Sequence, residues 1–156
     1  MRKVRIVPRS PKAGEFIKQF GLKATSNFIG HGVDGNIFHL QKEKKNFFIV
    51  IAHLDKGKNV MSILLLYQKF IKRYPNELYS LYIIGEGEES ERLQEYVRTN
   101  QLNKQIFFLG KMPQKELCKY LGNSVCMLCN SIKEMNTLSI GEAVVAGTPV
   151  LTNTCL

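Results

Sequence analysis

From residue 46 onward, continuous apolar runs alternate with amphipathic stretches, and no other feature of this sequence limits its fold as much. FFIVIA (47 to 52), LYSLYIIG (78 to 85), QIFFLG (105 to 110), SVCMLC (124 to 129) and TPVLT (148 to 152) read as buried strands. The stretches between them predict helices over about 60 to 73, 90 to 101, 114 to 122 and 137 to 146, the third closed by Gly122. Strands that are apolar throughout and separated by helices imply a parallel sheet covered on both faces. The expected fold is therefore α/β, a Rossmann-like three-layer αβα sandwich with a parallel sheet of about five strands. In such sheets a ligand sits beyond the strand C-terminal ends, at the topological switch point. The candidate loops are 53 to 59, 85 to 89, 110 to 113 and 130 to 136.

Residues 1 to 45 do not share the repeat. They hold a short helical pattern in GEFIKQFGL (14 to 22), the turn-rich HGVDGNIF (31 to 38) and the polar QKEKKN (41 to 46). The chain thus divides into residues 1 to 45, the tail of a preceding domain plus a linker, and 46 to 156, the repeat. Both ends are expected to continue in a longer protein.

The 156 residues suffice for one domain with a core, and an apolar content of 44% is ordinary for a globular chain. No apolar run approaches the ~20 residues that span a bilayer, and MRKVRIVPRSPK lacks the apolar centre of a secretory signal. A cytoplasmic location is expected, with at most peripheral contact at an anionic inner membrane face. The net charge of +9, with Arg2, Lys3, Arg5, Arg9 and Lys12 crowded at the start, favours anionic partners. Nucleic acid is not expected among them, because no base-reading motif is present. Cys126 and Cys129 form a C-x-x-C without the second ligand pair that zinc needs. They read as core cysteines of a reducing compartment.

The loop HLDKGKN places His53, Lys56 and Lys58 at a strand end ahead of a helix N-terminus, a setting that favours phosphate. GEGEES starts like a dinucleotide fingerprint, but Ser90 replaces its third glycine and Glu86, Glu88 and Glu89 would repel a pyrophosphate. A nicotinamide cofactor is therefore not expected. KEMNTLSIGEAVVAGTPV (133 to 150) carries Glu134 and Glu142. Glu142 fits a capping box with Ser139, yet Asn136 or Thr137 is an equally good N-cap. In the second case both carboxylates reach one ligand while the helix amides face its phosphates. Paired carboxylates suit vicinal hydroxyls.

Five stretches together resemble the C-terminal half of group 1 (family 4) retaining glycosyltransferases of the GT-B type, many of which build capsules, lipopolysaccharide and other glycoconjugates. HGVDGNIF resembles the family's interdomain N-G-V-D…F, and IAHLDKGKNV its G-R-L-x-x-x-K-N. LYIIGEGEESERLQ and QIFFLGKM resemble its strand-turn-helix and V-x-F-L-G segments. KEMNTLSIGEAVVAGTPV resembles its E-x7-E motif with the following E-A-x-x-x-G-T-P-V, the most specific of the five.

The resemblance implies transfer of a sugar from a nucleotide-diphosphate donor to a glycan or lipid-linked acceptor, with retention and no obligatory metal or cofactor. It implies that Lys58 contacts the donor diphosphate, Glu134 the sugar at the reacting centre, and Glu142 the ribose hydroxyls. The amides of Asn136, Thr137 and Leu138 would cradle phosphate, and Gly110 and Lys111 would meet the base through their backbone. The catalytic pair so implied is Glu134 and Lys58. Where the family commonly has Gly-Arg, this chain has Ala52-His53. A guanidinium bridges two phosphate oxygens, whereas a histidine donates one bond, so weaker or more pH-dependent diphosphate stabilisation is expected. Met135 and Asn136 also stand where the family has a glycine turn. The implied organisation is the end of an acceptor domain over 1 to 45 and a donor-nucleotide domain over 46 to 156. An acceptor domain on a separate chain is a further implied partner, and transfer by this chain alone is expected to be low or nil. The alternative is a non-catalytic nucleotide-sugar-binding module descended from such an enzyme.

Overall fold

The computed structural model describes residues 6–8, 11–27, 32–40, 43–132 and 138–153. The repeat forms β1 (Lys45–Ile51), α2 (Val60–Arg73), β2 (Ser80–Ile84), α3 (Ser90–Thr99), β3 (Ile106–Gly110), α4 (Gln114–Asn123), β4 (Ser124–Cys129), α5 (Leu138–Val145) and β5 (Val150–Thr152), preceded by α1 (Pro11–Gln19). The strands make one parallel sheet in the order β3-β2-β1-β4-β5. From β1 the chain steps outward to β2 and β3, then returns to the other side of β1 for β4. That reversal places the switch point between the C-terminal ends of β1 and β4.

Each face of the sheet has its own core. On one, Val60, Ile63, Leu64 and Tyr67 of α2 and Leu93 and Val97 of α3 bury against Val50, Leu81 and Ile83. On the other, Leu117 and Leu121 of α4 and Ala143 and Ala146 of α5 cover Ile49, Ile84 and Met127. Central β1 is buried from both sides, which is why its apolar residues run on without alternation. Tyr67 is 2% exposed, and its hydroxyl donates to the Tyr79 carbonyl at 2.6 Å. Burial pushes that phenol up to about 12.

The residues ahead of β1 pack on the second face. Asp34 closes a turn, its carbonyl accepting the Phe38 N–H at 2.9 Å and its Oδ1 the Asn36 N–H at 2.9 Å. The turn drives Phe38, 2% exposed, into the α4–α5 core. Farther upstream, Ile6 and Ala24 form a parallel bridge around α1. The helix begins at Pro11, earlier than the pattern at 14 to 22 suggests, because proline's fixed φ suits the first helical turn. It ends before Gly21, whose φ of 72° supports the closing bond to the Lys18 carbonyl.

Lys44 ties the lower rim together. Its Nζ donates to the Gly122 carbonyl at 2.7 Å, the Gly147 carbonyl at 3.1 Å and Thr148 Oγ1 at 3.2 Å. A cation at the ends of α4 and α5 also complements both helix dipoles. Lys44→Met is expected to cost about 1–3 kcal/mol, since the released carbonyls lose a charged donor. Chemical denaturation would show this as a lower midpoint at unchanged slope.

Candidate donor site at the switch point

The loop after β1 is held from below by Leu54, 1% exposed. Asp55 then caps a short 3₁₀ turn, Lys56–Lys58, accepting the Lys58 N–H on Oδ1 at 2.9 Å. Asn59 takes a left-handed φ of 51° and α2 follows at once. His53 stays exposed, whereas Lys58 is half-buried in the turn.

Hydrogen bonds latch the loop after β4 onto this turn. The Ile132 N–H donates to the Gly57 carbonyl at 2.8 Å, and Asn130 Nδ2 donates to Ser62 Oγ in the first turn of α2. Asn153, after β5, donates to the Ser131 carbonyl at 2.8 Å. The two loops flanking the switch point are therefore one bonded unit. Nothing in the apolar pattern indicates this latch; the only hint is a polar Asn-Ser pair directly after a buried strand.

The G-E-G turn after β2 makes the opposite wall. A Cβ on Gly85 would stand 1.8 Å from the Ala52 carbonyl oxygen, and one on Gly87 2.4 Å from that of Leu54. Only glycine permits this approach, and Gly85 also has a φ of +135°. The bonds Ala52 N–H to Ile84, Leu54 N–H to Glu86 and Glu89 N–H to Leu54 stitch the two loops together. Gly85 donates in turn to the Gly110 carbonyl at 2.9 Å. The resulting cleft of about 550 Å³ is lined by Ala52, His53, Gly85, Glu86, Lys111 and Met112 among others. The glycines thus set backbone approach between loops, which agrees with reading G-E-G as a tight turn. Glu89 pairs with Arg92 at 2.8 Å at the start of α3, also as an acidic helix start should.

Helix α5 opens at Leu138, so Ser139 lies inside it and the capping box with Glu142 does not form. Glu142 occupies the second turn and is 5% exposed. Gly141 beside it lets Val33 approach, since a Cβ there would meet Val33 Cγ2 at 3.1 Å. Among the described residues no group donates a hydrogen bond to the Glu142 carboxylate. Burial pushes its pKa above the usual carboxylate range.

The fold brings His53 and Lys111 into one cleft with Gly110 at its edge, while Lys58, Leu138 and Glu142 sit on the β1–β4 side and do not line it. Glu134, Asn136 and Thr137 lie outside the described residues. Glu86, for which the sequence suggested no binding role, is in the cleft. Cys118 is buried and Cys126 and Cys129 half-buried, all three as free thiols. Among the described residues no group of three or more His, Cys, Asp or Glu could hold a metal ion. None of the described helices is long and apolar enough to cross a membrane.

Comparison with known proteins agrees with this architecture. The sequence profile of the family "Glycosyl transferases group 1" matches residues 33–155. An uncharacterized glycosyltransferase of Methanocaldococcus jannaschii is 29% identical over 122 residues, 74% of this chain and 29% of that protein. Among solved structures, the pneumococcal O-GlcNAc transferase GtfA in complex with UDP and GlcNAc superposes with a TM-score of 0.78 at 20% identity, over 97% of this chain and 30% of that one. The C-terminal domain of the group 1 protein LpcC from Francisella tularensis gives 0.68 at 22% identity, over 80% and 71%. Sucrose-phosphate synthase from Thermosynechococcus elongatus gives 0.78 at 17%, over 96% and 40%. The chain spans 29% of the length of its curated relative. With the family profile covering residues 33–155 and a parallel α/β sheet shared with GT-B glycosyltransferases, the chain is a member of the group 1 glycosyltransferases.

Proposed function

We propose that this chain is the donor-binding half of a retaining glycosyltransferase, taking a nucleotide-diphosphate sugar and serving transfer to a glycan or lipid-linked acceptor in capsule, lipopolysaccharide or related polysaccharide synthesis. The observation that carries the reading is Glu142. A buried carboxylate without a donor among the described residues is costly, and ribose hydroxyls would satisfy it by donating to both oxygens. The carboxylate stands in the helix that follows the latched loops of the switch point, where α/β sheets bind nucleotides.

Lys58 supplies positive charge next to the N-terminus of α2, a setting suited to a diphosphate. Backbone amides from Asn136 to Leu138 would add donors at the start of α5. Together they would take up the charge that develops on the leaving diphosphate, with no metal required. Glu134 is assigned to the sugar at the reacting centre. Gly110 and Lys111 are assigned to the base, through their backbone at the β3 tip. The solved pneumococcal relative binds UDP and GlcNAc, which supports a nucleotide-sugar donor in kind. Transfer is proposed for the chain together with an acceptor-binding domain, in the same or a separate polypeptide. A cytoplasmic site of action, at most peripheral to an anionic membrane, belongs to the same reading.

Calorimetric titration of the folded chain with UDP, GDP and their hexose conjugates tests this directly. Saturable binding of at least one supports the donor site; no binding of any would reduce the family membership to ancestry. His53→Arg provides a second check. If His53 faces the diphosphate, a guanidinium there should tighten binding about tenfold by adding a bidentate, charge-assisted contact. Unchanged affinity would remove His53 from the site.

A further inference from the structure

Of the three acids in GEGEES, Glu86 and Glu88 are both exposed and Glu89 is paired with Arg92, but only Glu86 lines the cleft. The backbone of Glu86 cannot drift. Its carbonyl accepts the Leu54 N–H at 2.9 Å, and the glycines on both sides are pressed against the loop after β1. Its carboxylate reaches the tip of β3, where Oε1 accepts the Lys111 N–H at 3.4 Å and lies 3.5 Å from where a Gly110 Cβ would stand. A bond of that length is weak and leaves the carboxylate most of its accepting capacity.

This inference rests on the donor reading above, in which the base lies against Gly110 and Lys111. An ionised carboxylate there accepts hydrogen bonds and donates none. Guanine offers it N1–H and the exocyclic N2–H side by side, a match for two parallel charge-assisted bonds. Uracil presents a single N–H between two carbonyl oxygens, which a carboxylate repels. Adenine presents one amino group beside a ring-nitrogen lone pair, so half the match is lost. We propose that Glu86 selects the base of the donor and that the donor is a guanosine diphosphate sugar. The UDP bound by the pneumococcal relative does not speak against this, because 20% identity carries over the fold and not the contacts of a base.

The test is calorimetric titration of the chain, with folding checked by circular dichroism, using GDP, UDP and ADP on the unaltered protein and on E86Q and E86A. GDP should bind tightest, and E86A should weaken it about 10- to 100-fold, as expected for lost charged hydrogen bonds, while leaving UDP within about threefold. E86Q should also lose most of the preference, because an amide offers guanine one acceptor and one clashing donor. Tighter binding of UDP or ADP than GDP, or an equal loss for all nucleotides in E86A, would overturn the assignment and leave the donor site standing. A folded chain that binds none of the three would overturn both.

Discussion

Glu142→Gln is expected to make the unliganded chain more stable and, in the same protein, to weaken nucleoside diphosphate binding. The carboxylate is 5% exposed and has no hydrogen-bond donor among the described residues, so its charge is carried at a desolvation cost. Burial raises its pKa, so the folded chain holds this proton more tightly than the unfolded chain does. Its contribution therefore favours folding as pH falls through the region above the ordinary carboxylate value, and opposes folding once pH rises past the raised one. Glutamine keeps the shape and abolishes that term. The melting temperature of the unliganded variant should rise at neutral pH, by about 2–4 °C for each kcal/mol relieved, and the gain should vanish toward pH 4. Nucleotide affinity should fall about 10- to 100-fold, because hydrogen bonds to a charged acceptor are lost. A variant that is destabilised at neutral pH, or that binds nucleotide unchanged, would show that Glu142 is a structural residue already satisfied within the fold.

Gly85→Ala is expected to be the most damaging of the glycine-to-alanine changes among the described residues. The new Cβ would sit 1.8 Å from the Ala52 carbonyl oxygen, and the backbone is at a φ of +135° that alanine avoids. Neither problem can be relieved by rotating a side chain, because the obstacle is backbone on both sides. The G-E-G turn would have to lift, breaking the Leu54–Glu86, Glu89–Leu54 and Gly85–Gly110 bonds together. A loss of about 3–5 kcal/mol is expected, a large share of the ~5–15 kcal/mol that holds a domain folded. Thermal melting should fall by about 10 °C or more. Gly35→Ala is the control: nothing stands within 4 Å of its Cβ and its φ is not positive, so it should change stability by no more than about 0.5 kcal/mol. Equal effects at the two positions would refute the close-approach account of the turn.

The elements of this fold were largely visible in the chain. Helix α2 runs over Val60–Arg73 and β4 over Ser124–Cys129, as the apolar pattern indicates. The reason is that a strand buried on both faces must be apolar throughout, and a helix on a sheet must show a stripe of period 3.6. Edges were less visible: α1 starts at Pro11 through the preset φ of proline, and Phe16 within it and Phe20 just past its end are exposed, so the helical pattern over 14 to 22 did not mark its bounds. The candidate site was legible where it depends on residue type at a strand end, as for His53, and Lys111 was named only through the family resemblance; both line the cleft. It was not legible where it depends on contact across the sheet. Glu86 looked like one more acid at a helix start, because only the approach of the β2 and β3 loops reveals that it shares a cleft with Lys111.

The alternation of apolar runs by itself determined that this chain forms a covered parallel sheet, since periodicity is a local property written into neighbouring residues. The strand order β3-β2-β1-β4-β5 was decided only in the tertiary structure. So were the latch between Gly57 and Ile132 and the burial of Glu142 in the second turn of α5. These join residues dozens of positions apart, and their energies come from packing and shared hydrogen bonds that exist only once the chain has closed on itself.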